Sequence, residues 1–304
     1  MVKMKRIGIV AVGALCASVV FGEAAADETV KKPEVLKVLM IGNSFSEQMV
    51  PSMPPIAKNL GLKVDVCSMF IGGCTLERHW KNICAPTSTP YKVTRAATDG
   101  VKRKAFKGNI PAVLTSEKWD IVTIQQGSHL SWKAQSYHPW GDNLVKYVRE
   151  KAPQAKIVVH ETWSYTPWDG RFAQWKIDQN EMYSKLHDAY GAFAKQHGLE
   201  VIPFGTAVRD WRRRLPVRYA ENSFGGDVVG GGKQDERDHF KRDASGKWVP
   251  NCDVFHLGRK GEYFQALVWA KTLFGVDLKD LKYKPSFVSD SDAKLMREIA
   301  MDRK

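Results

Sequence analysis

A serine directly after an apolar run is the first feature of this chain that could do chemistry. The run at residues 38–41 ends in Gly42, Asn43 and Ser44, and a polar, helix-compatible segment follows. A buried strand that stops at a tight glycine turn exposes the next side chain at its carboxyl end, where open α/β sheets bind their ligands. Ser44 can act there as a nucleophile if a histidine reaches it. A serine in this position is also a common helix N-cap, so the motif needs a partner.

Asp253 and His256 supply such a partner near the other end of the chain. An aspartate three residues before a histidine in a loop can turn its carboxylate back onto the imidazole, which orients the ring and stabilises its cationic form. A single Asp-x-x-His sequence is frequent by chance and can be a turn followed by a helix cap. The combination of the two motifs predicts a catalytic triad of Ser44, His256 and Asp253.

Four blocks of the sequence together resemble the SGNH (GDSL-like) hydrolase superfamily, in particular an uncharacterised, mostly bacterial branch with a Gly-Asn-Ser-Phe-Ser nucleophile block. The blocks are residues 42–44, with Asn in place of the commoner Asp, and residues 71–74, 120–129 and 253–256. The resemblance extends from about Val35 to Phe274. It implies a flavodoxin-like three-layer α/β/α sandwich with a central parallel sheet, and a serine esterase.

The resemblance also implies which groups form the oxyanion hole. These are the backbone N–H groups of Ser44 and Gly73, together with a third donor. In the third block, His129 stands where the superfamily usually has Asn. Either Gln126 or His129 can supply the third donor, since both side chains carry N–H groups. This chemistry requires no metal and no organic cofactor.

The first 26 residues have the pattern of a signal peptide. Lys3, Lys5 and Arg6 precede an apolar stretch at residues 7–21 that is too short to span a bilayer, and three alanines before Asp27 offer a cleavage site. We therefore expect an exported protein, periplasmic or secreted, with no transmembrane segment once the leader is removed. Residues 27–304 are expected to form one domain. An uncleaved anchor is the alternative for the leader.

Cysteines in an exported protein can form disulfides. Cys74 and Cys84 are the preferred pair, because they bracket a loop close to the glycine block, and free thiols are the alternative. A zinc site that adds His79 to these two cysteines fits known ligand spacings poorly. The four cysteines after the leader are Cys67, Cys74, Cys84 and Cys252.

Hydrophobic periodicity predicts alternating strands and helices, and hence a parallel sheet with helices on both faces. Predicted strands cover residues 35–41, 62–70, 119–125, 156–161 and 199–204, and predicted helices cover residues 47–60, 142–151, 178–197 and 261–274. Segments near 85–112 and 213–250 break the alternation. We interpret them as insertions around the mouth of the active site, because long loops in compact domains are usually functional or disordered.

Tryptophans and positive charge bear on the substrate. Trp80 and Trp163 lie near predicted carboxyl ends of strands, where exposed indoles could carry sugar rings, although core packing is the ordinary role of such residues. The chain has a formal charge of +13, and the leader contributes three basic residues and one acidic residue, which leaves about +11. Such a charge favours anionic polymers by long-range steering. No nucleic-acid-binding motif is present, so we expect no nucleic-acid partner.

These observations predict an exported serine esterase that removes acyl groups, in particular acetyl groups, from carbohydrate through an acyl-enzyme. A lipid or small-ester hydrolase, or an acyltransferase, with the same triad is the alternative among enzymes. The charged, glycine-rich insertions differ from the wide apolar lid of a lipase. The alternative from another class is a non-catalytic glycan-binding module on this fold, against which the intact Ser, His and Asp positions argue.

Overall fold

The computed structural model describes residue 1 and residues 34–85, 90–215, 219, 223–230 and 240–302. Contacts divide the chain into two units, Met1–Pro33 and Glu34–Lys304. All the strands and helices described below belong to the second unit. The predicted signal peptide lies, apart from Met1, outside the described residues, and its cleavage stays a prediction.

Seven strands form the central sheet, in the order β4-β3-β2-β1-β5-β6-β7. They are β1 (Leu36–Gly42), β2 (Val64–Phe70), β3 (Tyr91–Ala97), β4 (Phe106–Gly108), β5 (Ile121–Ile124), β6 (Lys156–His160) and β7 (Glu200–Ile202). The pairing from β2 through β1, β5 and β6 to β7 is parallel. The predicted α/β fold with a mainly parallel central sheet is therefore confirmed.

Strands β3 and β4 extend the sheet in antiparallel fashion. They fall in the segment near 85–112 that we interpreted as a loop insertion. Tyr91 and Val93 are buried while Lys92 between them is exposed, which is the alternation of a strand with one covered face. The second predicted insertion contains a separate hairpin of β8 (Phe240–Arg242) and β9 (Trp248–Pro250).

Helices cover both faces of the sheet. They are α1 (Ser44–Glu47), α2 (Met53–Asn59), α3 (Leu76–Cys84), α4 (Ile110–Thr115), α5 (Trp140–Lys151), α6 (Arg171–Trp175), α7 (Gln179–His197), α8 (Phe204–Arg214), α9 (Arg259–Phe274) and α10 (Asp290–Met301). Helix α9 packs against α2, α8 and α10, whereas α5 packs against α3 and α4. The connection from β1 to β2 contains α2, and the connection from β5 to β6, which runs in the opposite direction across the sheet, contains α5. Because such connections are right-handed, α2 and α5 lie on opposite faces, as a three-layer sandwich requires.

The helix predicted at residues 47–60 is broken into α1, a 3₁₀ turn at Val50–Ser52, and α2. Pro51, Pro54 and Pro55 lack the N–H that a continuous helix needs, and their rings clash with the preceding turn. The break keeps α1 short, so the chain turns away from the sheet directly after Ser44.

Strand β1 lies at the centre of the core and at the point where the strand order reverses. Residues 38–41 are at most 1% exposed, and burying each such side chain contributes about 1.5–3 kcal/mol. Connections from β1 and β5 leave on opposite faces, which opens a crevice at the carboxyl end of β1. The turn that carries Ser44 occupies this crevice.

Candidate active site

The structure brings Ser44, His256 and Asp253 together at the carboxyl end of β1. The Oγ of Ser44 lies 2.7 Å from Nε2 of His256, and Nδ1 of His256 hydrogen-bonds Oδ2 of Asp253. A carboxylate can only accept, so the ring proton is on Nδ1 and the Nε2 lone pair faces the hydroxyl. The His256 and Asp253 side chains are 25% and 30% exposed, which leaves the group accessible to a ligand. The arrangement has the geometry of a nucleophile, a base and an orienting acid.

A capped turn presents Ser44. Asn43 caps α1, and its Oδ1 accepts a hydrogen bond of 3.0 Å from the N–H of Phe45. Gly42 leaves no room for a side chain, because a Cβ there would lie 2.3 Å from Oγ of Ser46. Ser44 is the first residue of α1, so its own N–H has no partner within the helix and can face a ligand.

The loop that carries His256 is held from several sides. Oδ1 of Asp253 accepts from the N–H groups of Phe255 at 2.9 Å and His256 at 2.8 Å. Burial raises the pKa of Asp253, but these bonds and the one from the His256 ring outweigh it and lower the pKa below its usual value. Gly230 N–H donates to the His256 carbonyl, and Trp163 Nε1 donates to the Phe255 carbonyl, each at 2.8 Å. The Asp253 carboxylate is therefore ionised and rigidly oriented.

Gly73 lies in an exposed turn that the N–H of Cys74 closes onto the carbonyl of Ile71 at 3.2 Å. Its φ of +59° is in the left-handed region that favours glycine. Its part in an oxyanion hole stays a prediction.

Gln126 is fully buried and committed to a structural role. Its Oε1 accepts from the N–H groups of Leu76 at 3.0 Å and Gly127 at 2.8 Å, and its Nε2 donates to Ser136. Leu76 is the first residue of α3, so this amide satisfies one of the free N–H groups at the start of that helix. With its acceptor and a donor already engaged, Gln126 is the less suitable of the two proposed oxyanion donors.

His129 follows β5 and is only partly buried. Burial, and then the positive charges of Arg171 and Lys133, lower the pKa of its ring. A neutral imidazole keeps one N–H donor, which suits a hydrogen bond to a developing oxyanion. The part of His129 as the third donor stays a prediction.

The two tryptophans assigned to substrate binding are not exposed platforms. Trp163 is 0% exposed and stacks on Phe45 with ring centroids 4.1 Å apart. Trp80 is partly buried against the core and meets Tyr147 of α5 edge-on. Trp163 instead packs under the turn after Ser44, on its buried side, through Phe45. Its assignment as a sugar-binding surface is therefore wrong. Trp80 has a packing role.

A groove of about 960 Å³ begins at Ser44 and runs along the outer face of β3, a volume typical of ligand sites. Apolar side chains, mainly Val50, Pro51 and Pro54, form one wall of this groove. Polar and charged side chains are interspersed along it. They include Glu47, Lys92, Thr94 and Lys102.

Sequence reasoning gave no site role to three buried polar residues behind Ser44: Gln125, His160 and Gln265. Gln125 and His160 stand at the ends of β5 and β6, as Asn43 does after β1. A polar residue at the same end of three adjacent parallel strands was the available signal. Gln265 lies inside α9 and had no such signal.

Arg171 is a second residue that sequence reasoning missed. Its guanidinium lies 4.4 Å from the ring centres of both Phe255 and Tyr165, and it pairs with the buried Asp169. Stacked and paired in this way, it braces the loop that carries His256. No element of the sequence pattern distinguished it from other surface arginines.

The cysteines do not form the preferred disulfide. Cys74 is a buried free thiol and Cys84 an exposed one, at opposite ends of α3. Cys74 Sγ instead lies 3.5 Å from Nδ1 of His79, which contacts the Tyr91 hydroxyl at 2.8 Å. Within the described part of the chain, no group of three or more His, Cys, Asp or Glu side chains could hold a metal ion.

None of the described helices combines the length and apolar character needed to cross a bilayer.

Three solved structures are among those similar to this chain. A DUF4886 family protein from Bacteroides uniformis is 28% identical, with a TM-score of 0.72, over 88% of this chain and 94% of that one. A protein from Slackia heliotrinireducens, proposed to be an SGNH hydrolase, is 18% identical with a TM-score of 0.49, over 79% of this chain and 99% of that one. A family 3 carbohydrate esterase from Clostridium thermocellum is 12% identical with a TM-score of 0.44, over 79% and 96%.

The last two TM-scores are below 0.5, so the family assignment does not rest on them. No curated protein is similar enough to the chain to count as a match. Residues 37–227 match DUF4886, described as a domain of unknown function. This match includes the turn of Ser44 and ends before Asp253 and His256. Because it covers more than half of the 304 residues, the chain belongs to the DUF4886 family.

Proposed function

We propose that this protein is a carboxylic ester hydrolase of SGNH type, with Ser44 as nucleophile, His256 as general base and Asp253 as the orienting acid. The observation that supports this most strongly is the 2.7 Å approach of Ser44 Oγ to a ring nitrogen whose other nitrogen is held by an ionised carboxylate. Structural turns rarely need both contacts on one exposed imidazole. The same two contacts are what nucleophilic catalysis requires.

The proposed reaction has two halves. Ser44 Oγ attacks the ester carbonyl carbon while Nε2 of His256 takes the hydroxyl proton, and the carbonyl oxygen becomes an oxyanion. The backbone N–H of Ser44, with Gly73 and His129 as further proposed donors, stabilises that charge, and each donor is worth about 3 kcal/mol. The proton on His256 then passes to the leaving alcohol as the C–O bond breaks. Water, activated by the same ring, releases the acid from the acyl-enzyme.

We further propose that the ester is an acyl group, acetyl in particular, on a carbohydrate. The groove beside Ser44 combines apolar walls with Glu47 and Thr94, which can hydrogen-bond sugar hydroxyls. Trp163 is buried and Trp80 packs against Tyr147, so neither supports this choice. Export of the protein is likewise proposed on the pattern of residues 1–26 alone.

A second candidate is a hydrolase of lipid or other acyl-chain esters. Val50, Pro51 and Pro54 give the groove an apolar wall against which a chain of several methylenes could lie. The two candidates differ in which side of the ester enters the groove. A carbohydrate would place the alcohol there, whereas a longer acyl chain would place the acid there.

Hydrolysis of an ester panel tests both candidates. The panel contains acetylated polysaccharides and p-nitrophenyl esters of increasing acyl length, with Ser44→Ala as the inactive control. We expect wild type to release acetate from polysaccharide and the control to release none, because the hydroxyl forms the new bond. A rate that rises with acyl length would favour the second candidate. Full activity in Ser44→Ala would exclude the triad, and an inactive wild type would favour a binding module.

A further inference from the structure

We propose that His160 is a positioning residue for Ser44, because one tautomer of its ring aligns a buried chain of hydrogen bonds that holds both neighbours of the nucleophile. The chain joins Asn43, Gln125, His160, Gln265 and Phe45. The inference rests on the proposed function in that Ser44 is the reacting group. The side chains of all five residues of this hydrogen-bond chain are almost fully buried, so none of them contacts the substrate.

The hydrogen-bond directions can be worked out from the Asn43 end. Phe45 N–H can only donate and the Cys74 carbonyl can only accept, so Asn43 presents Oδ1 to the former at 3.0 Å and Nδ2 to the latter at 3.0 Å. The Gln125 amide lies 2.7 Å from the same Oδ1 and must present its Nε2. Its Oε1 therefore faces Nδ1 of His160 at 2.8 Å, which requires a proton on Nδ1.

The hydrogen bonds at the Gln265 end of the hydrogen-bond chain independently require the same tautomer of His160. The carbonyl of Phe45 accepts at 2.6 Å from the amide of Gln265, so the contacting atom is Nε2. That Nε2 also lies 3.2 Å from Nε2 of His160. Two donors cannot face each other, so Nε2 of His160 must carry a lone pair. The single neutral tautomer with its proton on Nδ1 satisfies both ends.

The surroundings of the ring maintain this form. His160 is 0% exposed, and Trp269 and Trp163 pack beside it with ring centroids 5.0 and 6.4 Å away. Burial lowers the pKa of the ring to about 3. Protonation would place a second N–H against the Gln265 amide, which would break the chain at that contact.

The consequence for Ser44 is positional. Asn43 and Phe45 are tied through this chain to the ends of β5 and β6 and to the middle of α9. These elements come from distant parts of the sequence, so the ring of His160 couples the nucleophile turn to the sheet and to one helix layer. A displacement of about 1 Å in a reacting group can cost about 100-fold in rate.

Substitutions at His160 with a matched control test the proposal. His160→Phe keeps a buried ring but removes both hydrogen bonds, and His160→Asn restores the donor towards Gln125. The control is Trp119→Phe, which also keeps a buried ring while removing its hydrogen bond, from Nε1 to the Val113 carbonyl at 3.1 Å, and which lies just before the amino end of β5. Gln265→Met breaks the chain from the other end if His160→Phe does not fold.

Three readouts are taken besides thermal stability. The first is the rate at which a fluorophosphonate labels Ser44, where Oγ bonds to phosphorus, fluoride leaves and His256 takes the proton. This reaction needs the nucleophile, base and oxyanion donors but no natural substrate. The second is kcat and KM for p-nitrophenyl acetate. The tautomer itself is read from the ¹⁵N shifts of the His160 ring in wild type.

We expect His160→Phe and Gln265→Met to lower the labelling rate and kcat about 100-fold with KM little changed, and His160→Asn to recover part of the loss. Trp119→Phe should lower stability but leave the labelling rate of the folded protein unchanged. Equal labelling losses in Trp119→Phe and His160→Phe, or normal labelling in His160→Phe, would overturn the proposal. A proton on Nε2 in the NMR spectra would also overturn it. An unlabelled wild type would instead count against the proposed hydrolase, and the NMR result would still decide the tautomer.

Discussion

The two oxygens of the Asp253 carboxylate accept hydrogen bonds from different groups. One oxygen holds the His256 ring, and the other closes its own turn by accepting from the N–H groups of Phe255 and His256. All three bonds favour the ionised form, and they lower the pKa of the group below 3.8 although burial opposes them. The carboxylate that holds the His256 ring therefore also stabilises the loop, and both contacts are strengthened by its negative charge.

The pH dependence of folding tests the charge of Asp253. A carboxyl group whose pKa is lower in the folded than in the unfolded chain stabilises the fold above its unfolded pKa, and this contribution is lost as the pH falls through the folded value. We expect Asp253→Asn to be less stable than wild type at neutral pH. The difference in free energy of unfolding should shrink on acidification below about pH 4. Urea unfolding between pH 7 and 3 measures it. Parallel curves for the two proteins would contradict the argument.

Local motifs made some residues predictable and left others hidden. Ser44, Asp253 and His256 could be singled out because turn chemistry and a three-residue spacing lie within a few positions of the chain. The role of Trp163 could not be read in this way, since its burial depends on Phe45 and Phe204, which are remote in sequence. A tryptophan near a strand end is exposed or buried according to what the rest of the fold places on it.

At the scale of elements, Gln126 and His129 follow the same strand but serve different structures. The Oε1 of Gln126 accepts a hydrogen bond from the first N–H of α3, whereas the His129 side chain is partly exposed. We expect Gln126→Ala to lower the thermal midpoint, because it leaves buried N–H groups unsatisfied at about 1–3 kcal/mol each. We expect His129→Ala to change the midpoint little and to lower kcat about 100-fold or more. Calorimetry and ester kinetics on both variants separate the roles. A reversed pattern would assign the oxyanion donor to Gln126.

Helices and strands could be predicted where the hydrophobic periodicity of the sequence was strong. They were missed where prolines or tertiary strand pairing decided the structure. Long amphipathic helices such as α7 and apolar strands such as β1 follow from the sequence to within a few residues. The helix expected at residues 47–60 fails because prolines interrupt it. Strands β3 and β4 were missed because the pairing of β3 with β2, and of β4 with β3, is a tertiary event. It is stabilised in part by Arg95, which lies between Asp65 and Glu117.

At the scale of the whole molecule, some of the positive charges near the groove are paired with carboxylates and others are exposed. Lys92 lies 3.4 Å from Glu47, and Arg95 is paired on the other face of β3, so both are partly neutralised. Lys102, at the far end of the groove, is exposed. The formal charge of +13 therefore reaches the groove mainly as a long-range field, and Lys102 is an exposed lysine of its lining.

Salt dependence distinguishes a charge that serves substrate capture from one that serves solubility. If the substrate is an acyl ester of an acidic polysaccharide, kcat/KM should fall as salt shortens the Debye length to about 8–10 Å, because capture depends on the field. A neutral acetate ester should show a flat response, since bond formation at Ser44 is local. Lys102→Gln should flatten the slope for the acidic polymer. Lys118→Gln, which removes an exposed lysine before the amino end of β5, should leave that slope unchanged. Identical slopes for both esters, or for both variants, would mean that the charge near the groove does not select the substrate.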